Sequence, residues 1–158
     1  MNIGIDLDDT LIDRENNVLK EFVSLCLPLL YEKGFLFHLI TARHNKDKVD
    51  KIVKCIEKGL KIKFTSVTLT YQNSKGSYAK DKNCMFMIDD NPTYISDCVS
   101  SDVIPILFSD RNSNNKKWIT CKTWIDIYYC LLSFNNNKSL YDIWKTNDNW
   151  DDIYYLMK

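Results

Sequence analysis

Residues 3–11 have the sequence IGIDLDDTL, in which a short apolar run is followed at once by Asp6, Asp8 and Asp9. The run predicts a buried strand, and the aspartates then lie at its end. A second apolar run ends in Asp89 and Asp90. Burying carboxylates costs free energy unless a cation or hydrogen bonds compensate them. The pattern therefore predicts a metal site built from two strand ends.

Strand and helix signals alternate along the chain. Apolar, β-branched runs predict strands, and apolar residues at helical spacing predict helices. The strands are expected over residues 2–7, 35–40, 62–70, 84–88 and 103–108; the helices over 15–33, 46–58 and 123–134, with another beginning at Pro92. Strands without alternation, joined by helices, are typical of a parallel sheet covered on both faces.

We therefore expect a Rossmann-like three-layer α/β/α sandwich, with a mostly parallel sheet of roughly five strands and no sizeable cap. Residues 1–158 would form one domain, and residues 135–158, rich in Trp and Tyr, would pack on it as a helical tail. In such sheets ligands bind beyond the carboxyl ends of the strands. Asp6, Thr41 and Asp89 each follow an apolar run, so they should converge at one edge.

The composition disfavours several classes of function. Lysine plus arginine equals aspartate plus glutamate at 21 each, so no overall field attracts nucleic acid or membrane. This disfavours a nucleic-acid substrate without excluding it. The six cysteines form no C-x-x-C pair, which favours reduced core thiols. With no signal-peptide pattern and no membrane-length apolar run, a cytoplasmic protein is expected.

The residue types at the first strand end suggest catalysis. Asp6 could attack phosphorus as a nucleophile and also bind Mg²⁺. Asp8, two positions on, could protonate a leaving group and then activate water. Asp13 is expected to cap a helix that begins at Arg14. The role of Asp9 stays open.

The other strand ends would complete the site. The Thr41 hydroxyl and the backbone amide of Ala42 could hold phosphoryl oxygens, and Arg43 could grip a phosphate or a carboxylate. A lysine should supply further positive charge, and Lys75 beside Gly76 is preferred to the more helix-like Lys80 and Lys82. Asp89 is expected to bind the metal directly, with Asp90 acting through water or by holding Lys75.

These motifs, in this order, resemble the four-motif pattern of the haloacid dehalogenase superfamily. The resemblance covers Ile3 to Pro92 and implies a Rossmann-like sheet, one Mg²⁺ and phosphoryl transfer through an aspartyl phosphate. It also implies that Asp8 lends its backbone carbonyl to the metal. The aspartate at position 8 resembles the phosphatase branch, and Asp9 stands where many relatives carry glycine. Residues 40–43 resemble the deoxyribonucleotide 5′-nucleotidase group, although the chain has no room for that group's helical cap.

Three hypotheses about function follow from the sequence. The leading one is a Mg²⁺-dependent phosphomonoester hydrolase, nucleotidase-like in its substrate. The alternatives are a phosphatase of a macromolecule, either a phosphoprotein or a nucleic-acid end, and a non-catalytic protein that binds a partner through its aromatic tail. An open site suits a large substrate, and it suits a small one if the tail or a second subunit covers the cleft.

Overall fold

The computed structural model describes residues 1–146 and forms a single parallel sheet of six strands in the order β3-β2-β1-β4-β5-β6. Every neighbouring pair in the sheet is parallel. The strands are β1 (Asn2–Ile5), β2 (Leu36–Thr41), β3 (Phe64–Leu69), β4 (Phe86–Asp89), β5 (Ile104–Phe108) and β6 (Ile119–Cys121). The expected parallel α/β sheet is confirmed, with one strand more than the sequence predicted.

Helices cover both faces of the sheet: α1 (Val23–Glu32), α2 (Lys46–Leu60), α3 (Gly76–Asp81), α4 (Trp124–Asn136) and α5 (Ser139–Thr146). On one face, α1, α2, α4 and α5 share a large apolar core with the sheet. On the other face, α3 and the turns after β4 enclose a smaller core. Alternate residues of β4 serve the two cores, with Phe86 and Ile88 in the large one and Met87 in the small one. The three-layer arrangement is therefore confirmed.

The helix predicted from Arg14 or Glu15 begins only at Val23, so the helix-capping role predicted for Asp13 is wrong. Asp13 Oδ1 instead accepts hydrogen bonds from the amides of Glu15 and Asn16 within a turn. Asn17 and Phe22 adopt left-handed backbone conformations, with φ of 53° and 64°. A continuous helix cannot contain such residues, so residues 13–22 form an irregular loop over the end of β1.

The helix predicted from Pro92 does not form either. Residues 92–98 make successive turns, followed by a 3₁₀ turn at Val99–Ser101. Asp97 in these turns accepts hydrogen bonds from the amides of Gly76 and Ser77 at the start of α3. The turns therefore bring the Asp97 carboxylate against the start of α3 without forming a regular helix.

The described part of the aromatic tail packs on the domain through α5. Trp144 is buried, and its Nε1 donates to the carbonyl oxygen of Lys117 over 3.1 Å. The rest of the tail, including Trp150, lies outside the described residues, so its packing stays a prediction. All six cysteines are free. Among residues 1–146, no helix has the length and apolar character to cross a membrane.

Candidate active site

Asp6 and Asp89 lie side by side at the carboxyl edge of the sheet. The strands β1 and β4 are neighbours with Ile5 opposite Ile88, and the amide of Asp6 continues the pairing by donating to the Ile88 carbonyl over 2.9 Å. Asp89 is the last residue of β4 and is fully buried, and Asp6 is only 4% exposed. The predicted convergence of these two carboxylates is observed.

Lys75 lies between these two carboxylates. Its Nζ donates to Asp6 Oδ1 over 2.5 Å and to Asp89 Oδ2 over 2.6 Å, and the lysine side chain is completely buried. The two lysines that were not preferred lie elsewhere. Lys80 forms an exposed ion pair with Asp102, and Lys82 ends α3. The structure therefore brings Lys75, rather than Lys80, into contact with the buried carboxylates.

A hydroxyl connects Asp6 to the third carboxylate of the cluster, Asp90. Thr10 is fully buried, and its Oγ1 lies 3.3 Å from Asp6 Oδ2 and 3.4 Å from Asp90 Oδ1, while it accepts a hydrogen bond from the Asp90 amide. Trp124 on α4 holds the loop in place, because its Nε1 donates to the Thr10 carbonyl over 2.8 Å. These contacts join Thr10 to residues 80 and 114 positions away in the sequence, so no local pattern reports them.

The cluster holds more negative charge than Lys75 neutralises. Burial, reinforced by the neighbouring Asp89, raises the pKa of Asp6 to about 8. Burial and the charge of Asp89 likewise raise the pKa of Asp90 to about 6. Burial also raises the pKa of Asp89, against the opposing effect of Lys75. Burial alone would lower the pKa of Lys75, but the attraction of Asp6 and Asp89 outweighs it and raises that pKa.

Oxygen atoms of Asp6, Asp89 and Asp90 lie within 4.8 Å of one another, close enough to share one metal ion. Clustered carboxylate oxygens are the ligands that hard divalent cations such as Mg²⁺ prefer. A divalent cation would also stabilise the ionised carboxylates, whose pKa values burial raises. These three residues therefore fit the predicted metal ion. The Asp90 carboxylate is close enough to bind the ion directly, whereas the sequence suggested that it acts through water or by holding Lys75. The Asp8 carboxylate is not a member of this group.

Asp8 is instead held by Arg43. The guanidinium donates from Nε to Asp8 Oδ2 over 2.8 Å and from Nη2 to Oδ1 over 2.6 Å, a bidentate pair in which both side chains are about one-fifth exposed. This hydrogen-bonded contact with Asp8 raises the pKa of Arg43 further. The Arg43 guanidinium therefore binds a carboxylate of the protein itself, and this ion pair links the loop after β2 to the loop after β1.

The remaining predicted residues also lie at this edge. Thr41 ends β2 and is fully buried, and its Oγ1 accepts a hydrogen bond from the Arg43 amide over 3.3 Å. Ala42 follows and is half-buried. Asp9 has φ of 59°, a left-handed conformation that glycine adopts freely and that aspartate tolerates better than most residues.

No protein-family model and no curated protein matches the chain. Solved structures with related folds do match. The D,D-heptose 1.7-bisphosphate phosphatase of B. bronchiseptica, complexed with magnesium and phosphate, superposes with a TM-score of 0.64 at 10% identity, covering 83% of this chain and 97% of that one. A Had-superfamily hydrolase from Ehrlichia chaffeensis gives a TM-score of 0.66 at 13% identity, covering 85% and 97%. The fold is that of the haloacid dehalogenase superfamily.

A third relative is the cobalt-bound deoxy-D-mannose-octulosonate 8-phosphate phosphatase of Haemophilus influenzae, with a TM-score of 0.58 at 14% identity, covering 89% of this chain and 92% of that one. These matches confirm the haloacid dehalogenase fold that the four motifs predicted. Within the described residues, the loops that follow β1 and β3 carry no inserted domain, in agreement with the expected absence of a large cap. The resemblance to nucleotidases stays a prediction.

The uncapped haloacid dehalogenase fold leaves an open groove of about 810 Å³ beside the carboxylate cluster. The groove lies along the loop 13–22 and the end of β5, and Phe22 and Phe108 give it an apolar part. Its charged residues are mainly acidic: Asp9, Asp13, Glu21, Asp90 and Asp110, against Lys20 and Lys122. We call it the acidic groove, and it disfavours a strongly anionic leaving group on this side of the site.

Proposed function

We propose that this protein is a Mg²⁺-dependent phosphomonoester hydrolase that works through an aspartyl phosphate on Asp6. The observation that carries the proposal is the buried contact of Lys75 with Asp6 and Asp89. In the proposed roles Asp6 is the nucleophile, Lys75 is a fixed cation and Asp89 binds the metal, and the contacts among these three residues at the open edge of the sheet support that assignment. Two of the structural relatives are phosphatases, which supports the same chemistry.

In this proposal Asp6, Asp89 and Asp90 hold the metal, and Asp8 adds its backbone carbonyl as the family resemblance implies. Bound Mg²⁺ supplies positive charge that stabilises the phosphoryl oxygens and keeps the carboxylates ionised. Relatives carrying magnesium or cobalt support a divalent ion in general. The carboxylate donor set favours Mg²⁺ over softer ions.

The first half of the reaction transfers the phosphoryl group to Asp6. A carboxylate oxygen of Asp6 forms a bond to phosphorus, and the bond from phosphorus to the leaving-group oxygen breaks. Asp8 gives its proton to that oxygen, which leaves as an alcohol. Lys75, the Thr41 hydroxyl and the Ala42 amide hold the negative oxygens of the phosphoryl group.

The second half releases phosphate and regenerates the enzyme. Asp8, now a carboxylate, takes a proton from water while the water oxygen attacks phosphorus. The bond between phosphorus and the Asp6 oxygen breaks, and inorganic phosphate leaves. Asp6 returns as a carboxylate and Asp8 as an acid, so the cycle closes without any other reactant.

Arg43 acts as a positioning residue for Asp8. Both oxygens of Asp8 accept hydrogen bonds from Arg43, which holds the carboxyl group in one orientation, and each oxygen keeps a second lone pair that can carry the proton for the substrate. Good leaving groups need no proton, whereas alkoxides do. Arg43→Gln should therefore lower kcat much more for an alkyl phosphate than for p-nitrophenyl phosphate. An equal loss on both substrates would contradict this role.

The experiment that tests the proposed function measures phosphate release from a panel of phosphomonoesters. The wild-type protein should turn over with Mg²⁺ and stop with EDTA, and Asp6→Asn should lower kcat by orders of magnitude. Asp81→Asn, an exposed carboxylate on α3, is the matched control and should leave kcat unchanged. Activity that survives EDTA or Asp6→Asn would refute the mechanism, and no turnover on any substrate would favour a non-catalytic binding protein.

The nature of the leaving group is the open part of the proposal. The resemblance of residues 40–43 to nucleotidases favours a nucleotide. A phosphoprotein or a nucleic-acid end is the alternative that an open site allows. Screening nucleotides, phosphopeptides and terminally phosphorylated oligonucleotides under the same conditions separates these classes by their kcat/KM values.

A further inference from the structure

Two exposed aromatic side chains, Tyr71 and His44, lie together at the carboxyl edge of the sheet. Their ring centroids are 5.6 Å apart, with the ring planes inclined by 52°. Tyr71 is 57% exposed, and His44 is exposed as well. The two residues come from different loops, those that follow β2 and β3. Together they form an aromatic surface that faces solvent, which we call the aromatic platform.

The aromatic platform is tied to the proposed catalytic residues through the backbone. The amide of Thr70 donates to the carbonyl of Thr41 over 2.8 Å, which joins the ends of β3 and β2, and Tyr71 is the next residue. Lys75 follows four positions later in the same loop. On the other side, His44 directly follows Arg43, the residue that holds Asp8. Both rings are therefore attached to segments that carry the site.

The backbone at Tyr71 is strained. Tyr71 and the following Gln72 both adopt left-handed conformations, with φ of 52° and 66°. Side chains with a Cβ disfavour this region, and a bulky aromatic residue is uncommon there. The ring gains little burial in exchange, because more than half of it stays in solvent. Strain of this kind tends to occur where the chain presents a side chain to a ligand.

We propose that Tyr71 and His44 bind the nucleobase of a nucleoside phosphate substrate. This inference rests on the proposed phosphomonoester hydrolase function and names the leaving group. Exposed aromatic faces stack on bases, and such stacking tolerates any base because each has a π-face. The aromatic platform adjoins the Arg43–Asp8 pair and the start of α2, where Lys46 and Lys48 alternate with Asp47 and Asp50, so these residues carry no excess of negative charge. The acidic groove on the opposite side would repel an anionic substrate.

Two sources could supply this chemistry, a free mononucleotide and the end of a single-stranded nucleic acid. The end of a single-stranded nucleic acid could also contact a row of lysines on α2. The helix α2 begins two residues after His44 and carries exposed lysines along one face, at positions Lys51, Lys54 and Lys58. Further phosphates of an oligonucleotide could contact these lysines, whereas a mononucleotide would not reach along them.

The first test compares kcat/KM for nucleoside 5′- and 3′-monophosphates with that for ribose phosphates, which lack the base. Tyr71→Ala should lower kcat/KM for the nucleotides by roughly tenfold or more and leave the ribose phosphates within about twofold. Tyr71→Phe should keep most of the nucleotide activity, since it retains the stacking face. Tyr129→Ala, at an exposed tyrosine on α4, is the control and should change neither. An equal effect of Tyr71→Ala on both substrates, or no effect, would overturn the inference.

The second test measures binding without turnover. In Asp6→Asn protein, calorimetry should give a tighter Kd for nucleoside monophosphates than for ribose phosphates, and Tyr71→Ala should remove that difference. Base-dependent binding together with no hydrolysis by the wild type would refute the proposed enzyme and support the aromatic platform. Hydrolysis without any base dependence would refute only the aromatic platform.

The third test distinguishes the two sources with a short, terminally phosphorylated single-stranded oligonucleotide. If a nucleic-acid end is the source, its kcat/KM should exceed that of the mononucleotide, and Lys54→Glu or added salt should lower it severalfold. If a mononucleotide is the source, the oligonucleotide should be no better, and Lys54→Glu should have no effect. Either result supports the nucleobase site, provided that Tyr71→Ala lowers activity on the preferred substrate.

Discussion

Replacing Lys75 by methionine should destabilise the metal-free protein severely. The substitution keeps the length of the side chain and removes the ammonium group that Asp6 and Asp89 share at 2.5 and 2.6 Å. Lysine and both carboxylates are almost completely out of solvent, so water cannot take over the lost contacts. Removing one partner from a buried ionic cluster typically costs about 3–5 kcal/mol. We expect a loss of that size in the free energy of unfolding.

Urea unfolding in EDTA, followed by circular dichroism, measures this loss. Lys80→Met is the matched control, because Lys80 pairs with Asp102 at 3.3 Å and both side chains are about half exposed. Solvent screens an exposed pair of this kind, so it contributes little to stability. Equal losses for Lys75→Met and Lys80→Met would refute the buried cluster as the structure describes it.

A double variant keeps the prediction testable if Lys75→Met fails to fold. Asp6→Asn removes one of the two charges that Lys75 leaves behind, so Asp6→Asn with Lys75→Met should be more stable than Lys75→Met alone. Residues in one ionic network are not additive, and a coupling energy above about 1 kcal/mol is expected. Strict additivity would show that the two residues do not interact.

Two further predictions concern stability and protonation. Gly76→Ala should destabilise the protein, because a Cβ there would lie 2.7 Å from backbone and side-chain atoms of Asp97. Gly59→Ala in α2 meets open space and should stabilise the protein by up to about 1 kcal/mol. Thermal unfolding of both variants checks that the two changes in stability have opposite signs. Burial, with a smaller effect of Lys82, lowers the pKa of His38, so the unfolded chain takes up this proton more readily and the contribution of His38 to stability falls as the pH drops below about 6.5. An imidazole NMR titration, assigned with His38→Gln, should give a midpoint below that value, and a midpoint above it would contradict the buried environment.

The sequence predicted the parts of the site that local pattern determines. Asp6 and Asp89 follow apolar runs, and parallel strands bring such ends together whatever the rest of the chain does. Lys75 could be preferred because Lys80 and Lys82 fit the solvent-exposed face of a helix, and Lys80 does form an exposed ion pair with Asp102. Their placement is as expected, and their catalytic roles stay proposals until activity is measured.

Other parts of the site depend on long-range contacts that no local pattern reports. The Arg43–Asp8 pair joins residues 35 positions apart, and the contact from Trp124 to Thr10 joins residues 114 apart. Both need the folded chain before they can be identified. The strand β6 was missed for a different reason, since three residues are too few to show alternation.

The start of α1 was predicted too early because apolar spacing continues upstream of it. Val18, Leu19 and Phe22 fit a helical pattern, yet they belong to the loop 13–22 and line the acidic groove. Left-handed residues at Asn17 and Phe22 interrupt the helix, and neither is a glycine that would have signalled the break. Tertiary contacts over the end of β1 outweighed helix periodicity here.

The central claim is that Asp6 becomes phosphorylated during hydrolysis. Mixing the enzyme with a reactive aryl phosphate and Mg²⁺, quenching in acid within milliseconds and mapping peptides by mass spectrometry tests this directly. Asp8→Asn should increase the adduct, because it slows the attack of water on the phosphorylated enzyme. If the claim is correct, one phosphoryl group is found on the peptide that contains Asp6, and none in Asp6→Asn. Turnover with no adduct on that peptide, or an adduct that persists in Asp6→Asn, would contradict it.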